Sequence, residues 1–142
     1  MRIILLIMIG LSFLKAEFIR DDLKSIVIDT STNLIWQDDA NVTSVDMNWS
    51  EAITHCEDMS LGGYSDWHLP NYNELYMLAD RSKINPAISD VFQNTNSSYF
   101  WSSTTFVSAP SSAWDVYFYD GLGNWLGKTN ADFVRCVRPS DN

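Results

Sequence analysis

Residues 62–75 read GGYSDWHLPNYNEL, and the rest of the fold is organised around this stretch. Gly62 and Gly63 accept left-handed backbone at no steric cost, the usual way to stop a preceding helix. Pro70 cannot donate a backbone hydrogen bond and biases Leu69 toward an extended shape. Asn71 and Glu74 then have the spacing of a capping box, with Pro70 and Leu75 at the N′ and N4 positions of a hydrophobic staple. The stretch is therefore a sharp reversal feeding a doubly specified helix start. Trp67, Pro70, Asn71 and Glu74 read as structural residues of a joint, not as parts of a catalytic loop.

On the C-terminal side of the joint, Tyr72, Leu75, Tyr76 and Ala79 give the new helix one apolar face, and it should end near Ser82. On the N-terminal side, Asn48 and Glu51 repeat the same cap. Trp49, Ala52, Ile53, Cys56 and Met59 follow at helical spacing, so a helix over residues 48–60, stopped by Leu61-Gly62-Gly63, would turn Cys56 inward. Before it, Ile26–Asp29 and Leu34–Trp36 flank the turn Thr30-Ser31-Thr32-Asn33 as a hairpin.

After Asn85-Pro86 the chain becomes β-like. Residues 99–106, 114–119 and 133–138 are expected strands, 108–112 is a surface loop, and Asp120–Asn124 is a turn. In the second strand Trp114, Val116 and Phe118 share one face, and Asp115, Tyr117 and Tyr119 share the apparent outer face. Helices first and an antiparallel sheet afterward make an α+β domain, two helices packed on a small sheet.

The chain of 142 residues carries 18 acidic and 9 basic side chains. Its first 16 residues look like an export signal: Arg2, an apolar run from Ile3 to Phe13, and the small residue Ala16 at the cleavage point. That apolar run is too short to span a bilayer, which needs about 20 residues, so no stable membrane insertion is expected once it is removed. Glu17–Asn142 is then a single domain with a net charge of about −11, a charge that nucleic acid and anionic membranes would repel. Lys128, Arg135 and Arg138 are the only clustered basic residues that could form a patch for a sulfated polysaccharide. The two cysteines, Cys56 and Cys136, form an even pair in an exported chain, which reads as one disulfide. Closing a loop of that length would contribute roughly 4 kcal/mol in the chain-entropy model.

The order of these motifs resembles the Lcl C-terminal domain family, also called domain of unknown function 1566. Its pattern matches Val27, Asp29, Thr32, Leu34 and Trp36, then Trp49, Ala52 and Cys56. It continues through Gly62–Pro70 with Glu74-Leu75, Tyr99–Ser103 and Arg135–Arg138. His68 stands where relatives usually carry arginine, which would make an ion pair at that position sensitive to pH. The resemblance implies a C-type-lectin-like fold, related to that of formylglycine-generating enzymes and of the variable proteins of diversity-generating retroelements. It also implies adhesin-type relatives that recognise polysaccharides.

A catalytic site is hard to assemble. His55 and His68 have Asp58 and Asp66 as neighbours, but no activated serine or spare cysteine accompanies them. A formylglycine-generating activity would need reactive cysteines, so a non-enzyme is expected, with no cofactor. No acidic turn has a calcium-loop spacing, and the Glu-Pro-Asn and Gln-Pro-Asp triplets of calcium-dependent lectins are missing, so no metal is expected.

Tyr117, Tyr119 and Trp125 are the aromatic residues expected at the surface, and beside Asp120 and Asn124 they could stack on sugar rings and bond hydroxyls. The same rings could pack against a loop or a second subunit, so a homo-oligomer stays open. Arg135 is expected to support the fold by pairing with Glu74 or Asp66. Of two acidic sequons, Asn41 is the better glycosylation acceptor, because Asn48 is occupied as a helix cap. The expected function is an exported, adhesin-like domain that binds an extracellular glycan or surface protein. The alternatives are an interaction subunit of an envelope complex, or a retroelement target with Tyr99–Asn130 as its diversified surface.

Overall fold

The computed structural model describes residues 17–141; the expected export signal, residues 1–16, lies outside them. The domain is α+β with one disulfide, but it carries two sheets where one was expected. Strands β1 (Phe18–Asp21), β2 (Ile26–Asp29) and β3 (Leu34–Gln37) form an antiparallel sheet in the order β1-β2-β3-β9, closed by β9 (Val137–Pro139). The second sheet has the order β4-β8-β5-β6-β7, from Asp46–Met47, Asp132–Phe133, Tyr99–Thr105, Ser112–Tyr117 and Leu122–Gly127. Its β5–β8 pairing is parallel and the others are antiparallel. The helices are a single turn α1 (Asn41–Ser44), α2 (Trp49–Glu57) and α3 (Tyr72–Leu78).

Both expected capping boxes form. The Asn48 side chain accepts from the Glu51 N–H and the Glu51 carboxylate accepts from the Asn48 N–H, and Asn71 and Glu74 repeat the exchange. Both helices end earlier than their apolar patterns suggest, at Glu57 and Leu78. Gly62 and Gly63 do adopt positive φ, 64° and 82°. They do so in a separate tight turn between Leu61 and Tyr64, not at the end of α2.

The joint connects the two sheets. His68 exchanges two backbone hydrogen bonds with Val137 of β9, and the Pro70 carbonyl accepts from Ser103 N–H of β5 at 2.8 Å. Trp67 and Leu69 are buried between these contacts. The expected last strand is split: Phe133 belongs to one sheet and Val137 to the other. Val134, Arg135 and Cys136 run buried between them as an irregular crossing. The Cys56–Cys136 disulfide joins α2 to that crossing, not to a strand.

The larger sheet has apolar packing on both faces. On one, Phe100, Val116 and Phe118 meet Leu75 and Leu78 of α3 and Val27 and Trp36 of the hairpin. On the other, Trp101 and Ala113 meet Ala52 and Cys56 of α2. No helix among the described residues is long and apolar enough to cross a membrane.

Candidate ligand-binding surfaces

The five residues expected to form one ligand site fall on different sides of the larger sheet. Asp115 pairs with Asn124, and Tyr117 with Leu122, so these four share the face that α2 covers further along. Trp114 pairs with Trp125, and the strand alternation sends both to the α3 face. Asn124 and Trp125 are strand residues of β7, because the tight turn is Phe118–Gly121 and not Asp120–Asn124. Asp120 shapes that turn by accepting from the Leu122 N–H at 3.0 Å.

On the α3 face, Trp125 continues a run of aromatic rings. It stacks on Phe106 at 4.5 Å with planes 9° apart and meets Trp114 edge-on at 5.6 Å. Trp114 lies 4.9 Å from Tyr72, and Tyr72 lies 5.5 Å from Tyr76. The Arg81 guanidinium covers the far end, 3.8 Å from the Tyr76 ring centre. Gly123 permits this packing: a Cβ there would stand 1.9 Å from the Tyr72 hydroxyl oxygen. Trp125 is 50 % exposed and the four inner rings are half-buried. The strip therefore presents ring edges and faces to solvent on a preformed base.

On the opposite face a tyrosine ladder forms. Tyr99 and Tyr117 stack at 4.2 Å, and Tyr117 continues to Tyr119 at 5.8 Å. Beside it a hollow of about 300 Å³ is lined by Tyr99, Asp115, Asn124 and Leu126. Asp115 was expected on a solvated face and is instead fully buried. Asp132 and Asn124 lie beside it as side-chain hydrogen-bond partners and pull its carboxyl down. Burial raises the Asp115 carboxyl above its usual range. Burial, then the neighbouring Asp115 and Asp46, push Asp132 up to about 8.

The basic residues do not form a patch. Arg135 is buried, and its partner is Asp38 at 3.3 Å, not Glu74 or Asp66. It also donates to the carbonyls of Gln37 at 2.5 Å and Asn94 at 2.6 Å. Desolvation lowers its guanidinium to about 10, against the opposing pull of Asp38. Arg138 takes Asp66 instead, through two bonds of 2.6 and 3.0 Å, and lies 3.8 Å from the centre of the Tyr64 ring. Lys128 sits over Trp49 and donates to the Thr105 hydroxyl. Glu74 is bonded to the Asn71 N–H and lies 3.3 Å from His68, so the histidine does take an ion-pair position.

Asn41 is exposed in α1 and its side chain is free of any cap. Among the described residues no group of three or more His, Cys, Asp or Glu side chains could hold a metal. Sequence reasoning missed Phe106, Trp114, Tyr72 and Tyr76 as surface rings, and Asp115 and Asp132 as a buried pair. The one legible hint was an aspartate placed inside the apolar run Trp114-Asp115-Val116.

The family model of the Lcl C-terminal domain matches residues 25–138. No curated protein shows significant similarity to the chain.

Proposed function

The chain belongs to the Lcl C-terminal domain family, and from that premise we propose that it is an exported, non-catalytic binding domain for an extracellular or cell-surface glycan. The observation that carries the reading is the aromatic strip from Trp125 to Tyr76, ending under Arg81. Half-exposed rings on a rigid strand and helix offer the flat apolar faces on which sugar rings stack, with little side-chain entropy left to lose. A sulfated glycan fits poorly, since Arg135 and Arg138 are committed inside the fold. The disulfide supports an oxidising compartment outside the cytoplasm.

A glycan array with the folded chain tests the reading, using Trp125→Ala and Tyr119→Ala as site variants. Selective binding lost in Trp125→Ala and kept in Tyr119→Ala is the expected result. Loss in Tyr119→Ala alone would move the site to the tyrosine ladder. A blank array from disulfide-intact protein favours a second reading, an interaction subunit. The observation behind that reading is the exposure of Leu122, Trp125 and Val107 at 54 %, 50 % and 86 %, spread over the β5–β6–β7 hairpins, since exposed apolar side chains also suit a protein partner.

A further inference from the structure

The strand register brings two buried carboxyls to one face of the larger sheet. Asp115 of β6 stands opposite Trp101 of β5, and Phe133 of β8 stands beside Phe100 on the other flank of the same strand. Side chains alternate along a strand, so Asp132 points away from Phe133 and shares the face of Trp101 and Asp115. Asp115 is 0 % exposed and Asp132 5 %. There the two side chains are hydrogen-bond partners of one another.

An ionised carboxylate can only accept, so two of them bond to each other only through a proton that one of them carries. Among the described residues no basic side chain acts on either carboxyl. Asn124 of β7 adds an amide to Asp115, and Asp46 of β4 adds a further negative charge beside Asp132. Burial first, then Tyr117 and these carboxyls, hold the Tyr99 hydroxyl of β5 above its usual range. Helix α2 turns Ala52 and Cys56 toward this face, and Lys128 is engaged with Trp49 and Thr105. Buried Asp38 is treated differently: it receives Arg20, Arg135 and the backbone N–H groups of Gln93 and Asn94. Two ionised carboxylates this close and this dry would repel each other with no cation to offset them.

We infer that Asp115 and Asp132 share a single proton, and that this proton fastens β8 to β6 across β5, so that its loss loosens β8 from the larger sheet. Strand β8 is two residues long and pairs with β5 at Phe133 alone. A strand held by so short a ladder depends on its side chains, and it is the element that yields when two like charges meet. It also leads directly into the buried crossing of Val134, Arg135 and Cys136. The sign of the pH effect follows. Unfolded aspartates ionise near about 4, whereas the folded pair keeps its proton up to about 8. Between those values the folded chain binds one more proton than the unfolded chain, so stability falls as pH rises and levels off above the upper value. The inference stands whether or not the aromatic strip on the opposite face binds a glycan.

The test follows the aspartate side-chain carboxyls of the disulfide-intact chain by carbon NMR, alongside urea unfolding, from about pH 5 to about pH 9. One carboxyl should titrate near the top of that range, and the folding equilibrium constant should fall about tenfold per pH unit up to it. Above it, the amides of Asp132 and Phe133 should lose hydrogen-exchange protection relative to those of β6. Asp132→Asn, whose amide can still donate to Asp115, should abolish the late titration and the slope together. Asp115→Asn provides the same readout should Asp132→Asn fail to fold. Wild-type aspartates that all titrate below about pH 5, or a slope unchanged in the folded variant, would overturn the shared proton. A late titration with β8 protected as before would overturn the fastening.

Discussion

Arg135 and Asp38 meet at 3.3 Å in the interior, and Asp38 is the hub of the whole C-terminal crossing. Its carboxylate also receives Arg20 at 2.7 Å and two backbone N–H groups of the irregular 93–94 segment. Arg135→Ala would leave Asp38 with one of its two cations and strip two donors from buried carbonyls. Breaking a buried pair from one side costs about 3–5 kcal/mol. Urea unfolding should show a loss in that range; a midpoint within error of the wild type would refute the hub.

The Arg138–Asp66 pair should behave differently. Asp66 is more than half exposed, so Asp66→Ala should cost no more than about 1 kcal/mol. Arg138 is buried and covers the Tyr64 ring, so Arg138→Ala should cost clearly more through lost packing. Equal effects of the two substitutions would contradict this asymmetry.

The His68–Glu74 pair yields a pH prediction. Burial alone would raise the Glu74 carboxyl, but the His68 contact and the Asn71 N–H outweigh it and hold the carboxyl below its usual range. A carboxyl with a depressed folded pKa contributes stability above its unfolded value and loses it as pH falls through the folded one. The wild type should therefore lose stability on the acid side, below about pH 4. Glu74→Gln, which keeps a capping side chain, should flatten that limb of a stability–pH curve. His68→Arg should keep the pair, since an arginine partner stays charged throughout.

Gly123→Ala examines the approach of α3 to the edge strand. The new methyl would overlap the Tyr72 hydroxyl end, and the ring is held between Trp114 and Tyr76. Overpacking of this kind costs about 1–3 kcal/mol. A thermal midpoint equal to the wild type would mean that Tyr72 moves freely and that the strip is not preformed.

Trp125→Ala should leave stability nearly untouched, within about 1 kcal/mol, because half of the ring already faces water. Near-ultraviolet circular dichroism should still lose intensity, since the stacked Phe106 partner is removed. A large fall in stability would assign Trp125 to the core and remove it from the ligand surface.

What could be read from the sequence is what a few neighbouring residues decide by themselves. The capping boxes at Asn48 and Asn71, the hairpin turn at 30–33 and the inward Cys56 all depend on contacts within about four residues. The disulfide was legible because only two cysteines exist. The larger errors come from choices made across the fold. Strand β7 contains two glycines and two exposed large apolar residues, so it does not look like a strand until Tyr72 is seen lying on Gly123. The alternation in Phe133–Arg138 reads as one strand, yet residues 134–138 are all buried, arginines included, because the chain there passes between the sheets. Asp115 lies on the predicted face, but its neighbours there, Asp132 and Leu126, arrive from other strands.

The placement of β9 has a consequence for the timing of folding. The hairpin sheet gains its fourth strand from Val137–Pro139, the hub at Asp38 waits for a residue 97 positions later, and the disulfide spans 80. Topologies dominated by such remote pairings fold slowly, in milliseconds to seconds. A chain that stops before Arg135 lacks the hub arginine, the bridge and the strand that completes the first sheet. The domain is therefore assembled late and as a unit.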